Sequence, residues 1–291
     1  MMLKNYLTLL LIGLIWGSQF IFQAMALEVF SPVWIGTLRA VFGAFTVVVI
    51  CHVMGLRSTS KQWTLFAVIG LLEATIPFVL VPWAQKELSS SVTAILMGTL
   101  PFYALLLAPL FIQNSKVTKG NLFSVSIGFT GLLVLFYPDF VSGGQQFNMT
   151  SALAVILAAV CFAIALLLLN RVQKEHPMIV ARNVLVMASI QLFIVAMITT
   201  PFALDKVSSH AAGSIIYLGV MCAGVVYYLY MMSIKNSGAV FTSMTNYLVP
   251  AVGVLIAALM THESILTTTW IALVIILSAL FINQIAAKNE Q

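Results

Sequence analysis

Glu73 is the only charged residue in the apolar run from Gln62 to Pro82, and it stands at the run's centre. Insertion scales put such a charge at about 2.5–3.5 kcal/mol unfavourable, so a partner or a task must compensate it. Two readings are open. One is a site for a substrate cation or a coupling proton, and the other is a structural carboxyl, ion-paired or kept neutral by burial. Arg39 is the partner the sequence offers. At about 1.5 Å per residue it lies roughly 9 Å below one membrane surface, and Glu73 roughly 13 Å. The alternative for Arg39 is to snorkel its guanidinium to the headgroups. Pro77, on the same run as Glu73, is grouped with it as a candidate site residue.

Three further sets of residues recur at helical spacing. Trp16, Gln19 and Gln23 form one polar-aromatic face of the first apolar run, which is expected to face a cavity, although helix-helix hydrogen bonds explain glutamines equally. Thr242, Thr245, Asn246 and Pro250 form a second stripe, and Thr93, Met97 and Pro101 a third. The two prolines free the carbonyls of Met97 and Asn246, and interrupted helices in corresponding halves point to a binding site; a simple packing kink is the plainer explanation. Tyr227, Tyr228 and Tyr230, with 14 methionines along the chain, suit a cavity for amphipathic or aromatic molecules.

Other chemistries find little support. His52, His176, His210 and His262 lie at run ends or in loops and form no facing pair, so neither metal nor haem is expected. Cys51, Cys161 and Cys222 all fall in apolar runs without metal-like spacing and are read as packing residues. HExxH, a nucleophile elbow and a P-loop are absent, so no enzyme and no cofactor is expected. The net charge of +5 is spread singly along the chain, which argues against nucleic acid as a partner.

The elements that position these residues follow from composition. The chain is 62% hydrophobic and 7% charged; ordinary soluble domains carry about 25% charged residues, so lipid is the solvent for most of it. Apolar runs long enough to cross a bilayer are expected near 6–26, 33–54, 62–82, 90–112 and 119–137, and again near 150–170, 178–200, 211–232, 237–260 and 265–285. The first run is read as a span and not as a cleaved signal peptide, because its apolar stretch exceeds the usual ~7–15 residues. The expected fold is therefore an all-α integral membrane protein of ten transmembrane helices.

Charge then sets orientation. One set of loops holds Lys4, Arg57, Lys61, Lys116, Lys119, Arg171, Lys174, Lys235 and Lys288, whereas the other holds only Lys86 and Lys206, beside Glu28, Glu87, Asp139, Asp205 and Glu263. By the positive-inside rule both termini are cytoplasmic, in a multi-pass protein of the inner (plasma) membrane. Trp34, Trp63 and Trp83 fall at run ends, where an indole prefers the headgroup boundary.

Setting Pro101 over Pro250 superposes Thr93 on Thr242 and Met97 on Asn246, and Pro32 has a counterpart in Pro177. The chain thus divides into repeats at 1–140 and 148–287. Five spans in each half make the second enter the membrane inverted, an arrangement suited to alternating access.

These residues carry a family resemblance. Trp16-Gly17-Ser18-Gln19-Phe20 is similar to the WGS-x-F of the drug/metabolite transporter superfamily, within it the ten-helix proteins with two EamA domains. Ser31-Pro32 with Arg39, the segment Ala84 to Pro101 and its repeat Ser233 to Pro250 also resemble that family, as does the turn Thr261 to Ile265; Asn114 departs from it. The resemblance implies two EamA-like five-helix repeats around a central cavity. It also implies a secondary transporter moving small metabolites or drugs across the bilayer, an exporter, with a proton as the candidate coupling ion. The substrate classes it implies are amino acids, other metabolites and xenobiotics. A non-transporting membrane sensor or a membrane-embedded enzyme is the alternative.

Overall fold

Several helices open on a side chain that accepts a first-turn backbone N–H, a donor with no partner inside its own helix. Ser31 accepts from Trp34, Ser89 from Val92, His176 from Met178 and Ser208 from Ala211. Pro32 and Pro177 occupy the first helical position behind two of these caps, where a missing N–H costs nothing. In the computed structural model, residues 2–58, 60–111, 118–142, 148–172, 175–201, 208–242, 245–260 and 265–288 are described.

The first half of the chain holds α1 (Met2–Leu27), α2 (Pro32–Val53), α3 (Trp63–Gly70), α4 (Pro77–Ala84), α5 (Ser90–Met97), α6 (Leu100–Phe111) and α7 (Lys119–Ser142). The second holds α8 (Met149–Leu169), α9 (Pro177–Thr199), α10 (Ser209–Val220), α11 (Val226–Thr242), α12 (Thr245–Met260) and α13 (Thr267–Lys288). Two π-helical turns, Leu71–Thr75 and Met221–Val225, join α3 to α4 and α10 to α11. No strand occurs among the described residues.

Among the described residues, seven helical stretches are long and apolar enough to cross a membrane, and three apolar helices, Lys119–Leu135, Leu248–Met260 and Thr267–Ala279, are shorter. The bundle turns large apolar side chains outward. Leu7, Leu10, Leu11 and Leu14 form an exposed stripe along α1, and Val41, Phe45 and Val48 another along α2. Water would penalise such a surface, whereas lipid tails accept it.

Helices from the two halves interlock. α2 packs on α9 and α7 on α13; α1 packs on α12, while α8 packs on α5 and α6. α2 also meets α10 and its π-turn, and α9 meets α3 and its π-turn. Lipid gives no hydrophobic drive for such contacts, so close backbone approach must supply them. Glycine allows it. A Cβ on Gly36 of α2 would stand 2.7 Å from the Phe78 carbonyl oxygen of α4, and one on Gly70 would stand 2.8 Å from the Val184 carbonyl oxygen of α9.

Some boundaries depart from the sequence expectation. The helix of the eighth run continues through Ser233 and Asn236 to Thr242, where a loop is expected, because no proline between Val226 and Thr242 removes a backbone donor. Thr242 is the last described residue of α11 and Thr245 the first of α12, and residues 243–244 of the expected stripe lie outside the described residues. Pro101 does accompany a break: α5 ends at Met97, four residues before it, and the Thr99 hydroxyl caps the Leu96 carbonyl at 2.6 Å. Pro250 lies inside an uninterrupted α12. Trp34 is buried and donates its indole N–H to the Thr200 carbonyl at 3.1 Å, while Trp63 and Trp83 are exposed. Asn114 and the segment Thr261 to Ser264 lie outside the described residues, as do Lys116, Lys174, Asp205 and Lys206.

The Gly36 contact makes a sharp comparison. Gly36→Ala drives a methyl group into backbone that cannot rotate away, an overpacking cost of about 1–3 kcal/mol. Gly213 has nothing within 4 Å of its would-be Cβ, so Gly213→Ala should be neutral or slightly stabilising through helix propensity. Thermal unfolding of the two variants in detergent should separate them, the first melting well below the second.

Candidate functional site

Pro77 has no N–H to give the carbonyl of Glu73, four residues back, and the backbone widens just before it. There Ile76 N–H reaches the Leu71 carbonyl, five residues away, at 2.9 Å. Such π-turns displace one residue from the helical register and are common at functional sites. This one carries Glu73. The second π-turn, in the corresponding span of the other half, carries Cys222, and its Val226 N–H reaches back to the Met221 carbonyl.

Both turns face one cavity of about 250 Å³. α1 contributes Trp16, Gln19 and Phe20, and α2 contributes Arg39. α4 supplies Pro77, Phe78 and Val81, while Met97, Gly98, Leu100 and Pro101 come from the α5–α6 break. The opposing wall is Phe162, Leu166 and Leu169 of α8 with Cys222, Tyr227, Tyr230 and Met231, and Val249 and Pro250 of α12 complete it.

Arg39 and Glu73 share this cavity without pairing. Arg39 is 7% exposed, so it does not snorkel. Its guanidinium donates to the Gln19 side-chain oxygen at 2.6 Å and to that of Gln23 at 3.4 Å, and lies over the Phe78 ring at 4.1 Å. Its Nε has no hydrogen-bond partner. Glu73 instead accepts the Tyr227 hydroxyl at 2.6 Å on Oε1. Of the readings left open by the sequence, pairing of the two is not seen; each group has neutral partners instead.

Trp16 ties α1 to the second π-turn. Its indole N–H donates to the Cys222 carbonyl at 3.2 Å, and its ring meets Tyr227 edge-on with centroids 6.3 Å apart. Tyr230 lies closer, at 5.4 Å, and also lines the cavity.

A buried polar network continues from Arg39. Gln23 donates to Gln85 at 2.5 Å, and Gln85 donates to the Phe20 carbonyl at 2.9 Å and to Ser90 at 3.3 Å. α1, α2 and the α4–α5 turn are thereby joined at one end of the cavity. A separate pair sits behind Glu73, where the Thr75 hydroxyl donates to Gln191 at 2.7 Å and Gln191 donates to the Ala67 carbonyl at 3.0 Å.

Of the residues singled out from the sequence, Trp16, Gln19, Arg39, Glu73, Pro77, Met97 and Tyr227 line the cavity. Thr93 does not. It is fully buried and its hydroxyl returns to the Ser89 carbonyl at 2.9 Å. Thr245 is buried away from the lining, and the side chains of Thr242 and Asn246 lie outside the described residues. Sequence reasoning missed Phe78, Phe162, Gln85 and Gln191. The two glutamines were legible as amides in or beside apolar runs, whereas the aromatic rings gave no signal among so many. No group of His, Cys, Asp and Glu suited to a metal occurs among the described residues.

A multi-pass helical protein that encloses a polar-aromatic chamber between its halves has the build of a carrier. Comparisons with known proteins agree. A model of the EamA-like transporter family matches residues 3–137 and again 149–284. An uncharacterised transporter of Clostridium kluyveri is 22% identical over 99% of this chain and 95% of its own length. Protein PecM of Dickeya dadantii is 23% identical, over 93% of this chain and 89% of that protein. The uncharacterised transporter YdfC of Bacillus subtilis is also 23% identical, over 87% and 82%. A solved crystal structure superposes with a TM-score of 0.72, covering 99% of each chain at 14% identity, which shows the fold alone. The chain belongs to the EamA-like transporter family, and is a membrane transporter of small molecules.

The Gln85 network carries a stability prediction. Gln85→Leu leaves the buried Gln23 amide without its acceptor, a loss of about 1–3 kcal/mol. Thermal unfolding in detergent should show a lowered midpoint, while Lys86→Ala, on the neighbouring exposed position, should leave it unchanged.

Proposed function

We propose that the protein is a secondary transporter that exports small organic molecules by alternating access, with Glu73 carrying the coupling proton. The observation that supports this most is a chamber walled by helices of both halves whose described lining holds one carboxylate and one guanidinium. A carboxylate reached from a chamber can bind a proton on one side and release it on the other, provided its partners do not fix its charge. Tyr227 suits that role, because a phenol hydroxyl can donate to the carboxylate or accept from the carboxylic acid.

In this reading the three shorter apolar helices also span, which gives ten spans in two inverted repeats with both termini cytoplasmic. The packing supports it through exchanged contacts. The first span of each half lies on the fourth of the other, the second on the third, and the second and fifth spans each pack on their own counterparts. A two-fold relation generates that pattern and offers two nearly equivalent packings, one open to each side. In the same reading the Arg39–Gln23–Gln85–Ser90 network lies toward the outer end of the chamber and Leu169, the last residue of α8, toward the inner end.

Vesicles containing the purified protein, offered labelled amino acids, other metabolites and xenobiotics with and without a proton gradient, test the reading. Gradient-dependent accumulation above empty vesicles is expected for at least one compound. Glu73→Gln should abolish that accumulation and preserve exchange of the same compound between the two sides. Unchanged accumulation in the variant removes the coupling role of Glu73, and no flux for any compound counts against transport itself.

A further inference from the structure

Arg39 is a buried cation among neutral neighbours. Two glutamine oxygens and one aromatic ring face it, and no carboxylate comes within 4.0 Å of its nitrogens among the described residues. Buried charges are ordinarily paired, and removal from water is offset only when a counter-charge and the remaining hydrogen bonds are supplied. Here both are incomplete, since Nε–H is buried and unpartnered. The nearest candidate counter-ion within the cavity, Glu73, is held by Tyr227 instead. Arg39 lines the chamber, so its guanidinium stands at that wall without a counter-charge, and its unpartnered Nε–H is buried.

We propose that Arg39 is the docking group for a carboxylate of the transported molecule, and that the ligands of this cavity are small organic monocarboxylates with a flat apolar body. This rests on the reading of the chamber as the transport site. The guanidinium fork matches carboxylate geometry bidentately, and a carboxylate brings the opposite charge that a neutral amide oxygen lacks. A ligand oxygen therefore outcompetes an amide oxygen for the same donors. The remaining wall sets the body of the ligand: Trp16, Phe20, Phe78, Phe162, Tyr227 and Tyr230 offer ring faces and edges around one cavity of about 250 Å³. A phosphate-bearing ligand fits less well. Arg39 is the only Lys or Arg among the described lining residues, and a second negative charge would share the chamber with Glu73.

The anchor is also placed to report occupancy. Gln19 and Gln23 of α1 are joined to α2 through this guanidinium. A carboxylate that draws the guanidinium toward the cavity weakens the ties that hold α1 and α2 at the closed end.

The test uses three near-isosteric probes on the purified full-length protein in uncharged detergent: 3-phenylpropanoate, 3-phenylpropanamide and 3-phenylpropylamine. Only the carboxylate is expected to raise the unfolding midpoint saturably, with an apparent affinity at least about tenfold above the amide, as befits a hydrogen bond to a charged group. Arg39→Gln should remove the preference for the acid. If that variant does not fold, the comparison among probes on the unaltered protein still decides. Equal or better binding of amide or amine, or no response to any of the three, overturns the proposal. Parallel flux measurements separate it from the transport reading. Carriage of the amine and not the acid leaves transport standing and removes the carboxylate anchor. Acid binding without flux of any compound does the reverse.

Discussion

The structure depends on how a guanidinium is kept inside a bundle whose solvent is lipid. Arg39 is 7% exposed, and its partners are neutral. Placing them requires α1 to present Gln19 and Gln23 on the face toward α2, and α4 to bring Phe78 over the guanidinium plane. Gly36 is what lets α4 come so near, since a Cβ there would collide with the Phe78 backbone. Gln23 in turn is held by Gln85, and Gln85 by the Phe20 carbonyl and Ser90. One buried charge thus fixes the relative position of α1, α2, α4 and the start of α5. The same four elements form one end of the chamber.

The opposite wall is held by a different device. A π-turn leaves backbone carbonyls off the regular ladder, and in an apolar surrounding each must find a donor. Trp16 supplies one to Cys222, and in doing so connects the first helix of one half to the third span of the other. Gly219, just before this turn, and Gly224, within it, bring it against Phe42 and Thr46 of α2. Both π-turns therefore sit at contacts between halves, one bearing the carboxylate and one bearing a carbonyl satisfied by an indole.

What the sequence revealed follows from what apolar solvent makes conspicuous. Glu73 and Arg39 stand out because charge is rare in such runs, and Trp16 because a large amphipathic ring lies far from a run end. Their sharing of one cavity was legible. Their partners were not, because a guanidinium facing two glutamines and a carboxylate facing Tyr227 differ from an ion pair only by helix rotations that spacing does not report. Pro77 gave a backbone signal for the first π-turn, while Met221–Val225 contains no proline and gave none. Run boundaries at Pro32 and Pro177 were accurate because serine or histidine caps sit beside each proline. The boundary expected near Ser233 failed because polar residues alone do not end a helix.

Glu73 and Arg39 are independent of each other in their contacts, and that independence bears on the proposed mechanism. An Arg39–Glu73 ion pair would oblige any proton taken up by Glu73 to strand a buried cation, and any ligand bound to Arg39 to strand a buried anion. With Glu73 held by a hydroxyl that can donate or accept, and Arg39 held by amides, each group can change state without leaving the other unpaired. They still meet through structure, because Tyr227 contacts Glu73 on one side and Trp16 on the other, while Trp16 and Gln19 occupy adjacent turns of α1. In the proposed cycle, a change at the carboxylate would reach the guanidinium through the packing of one helix, α1.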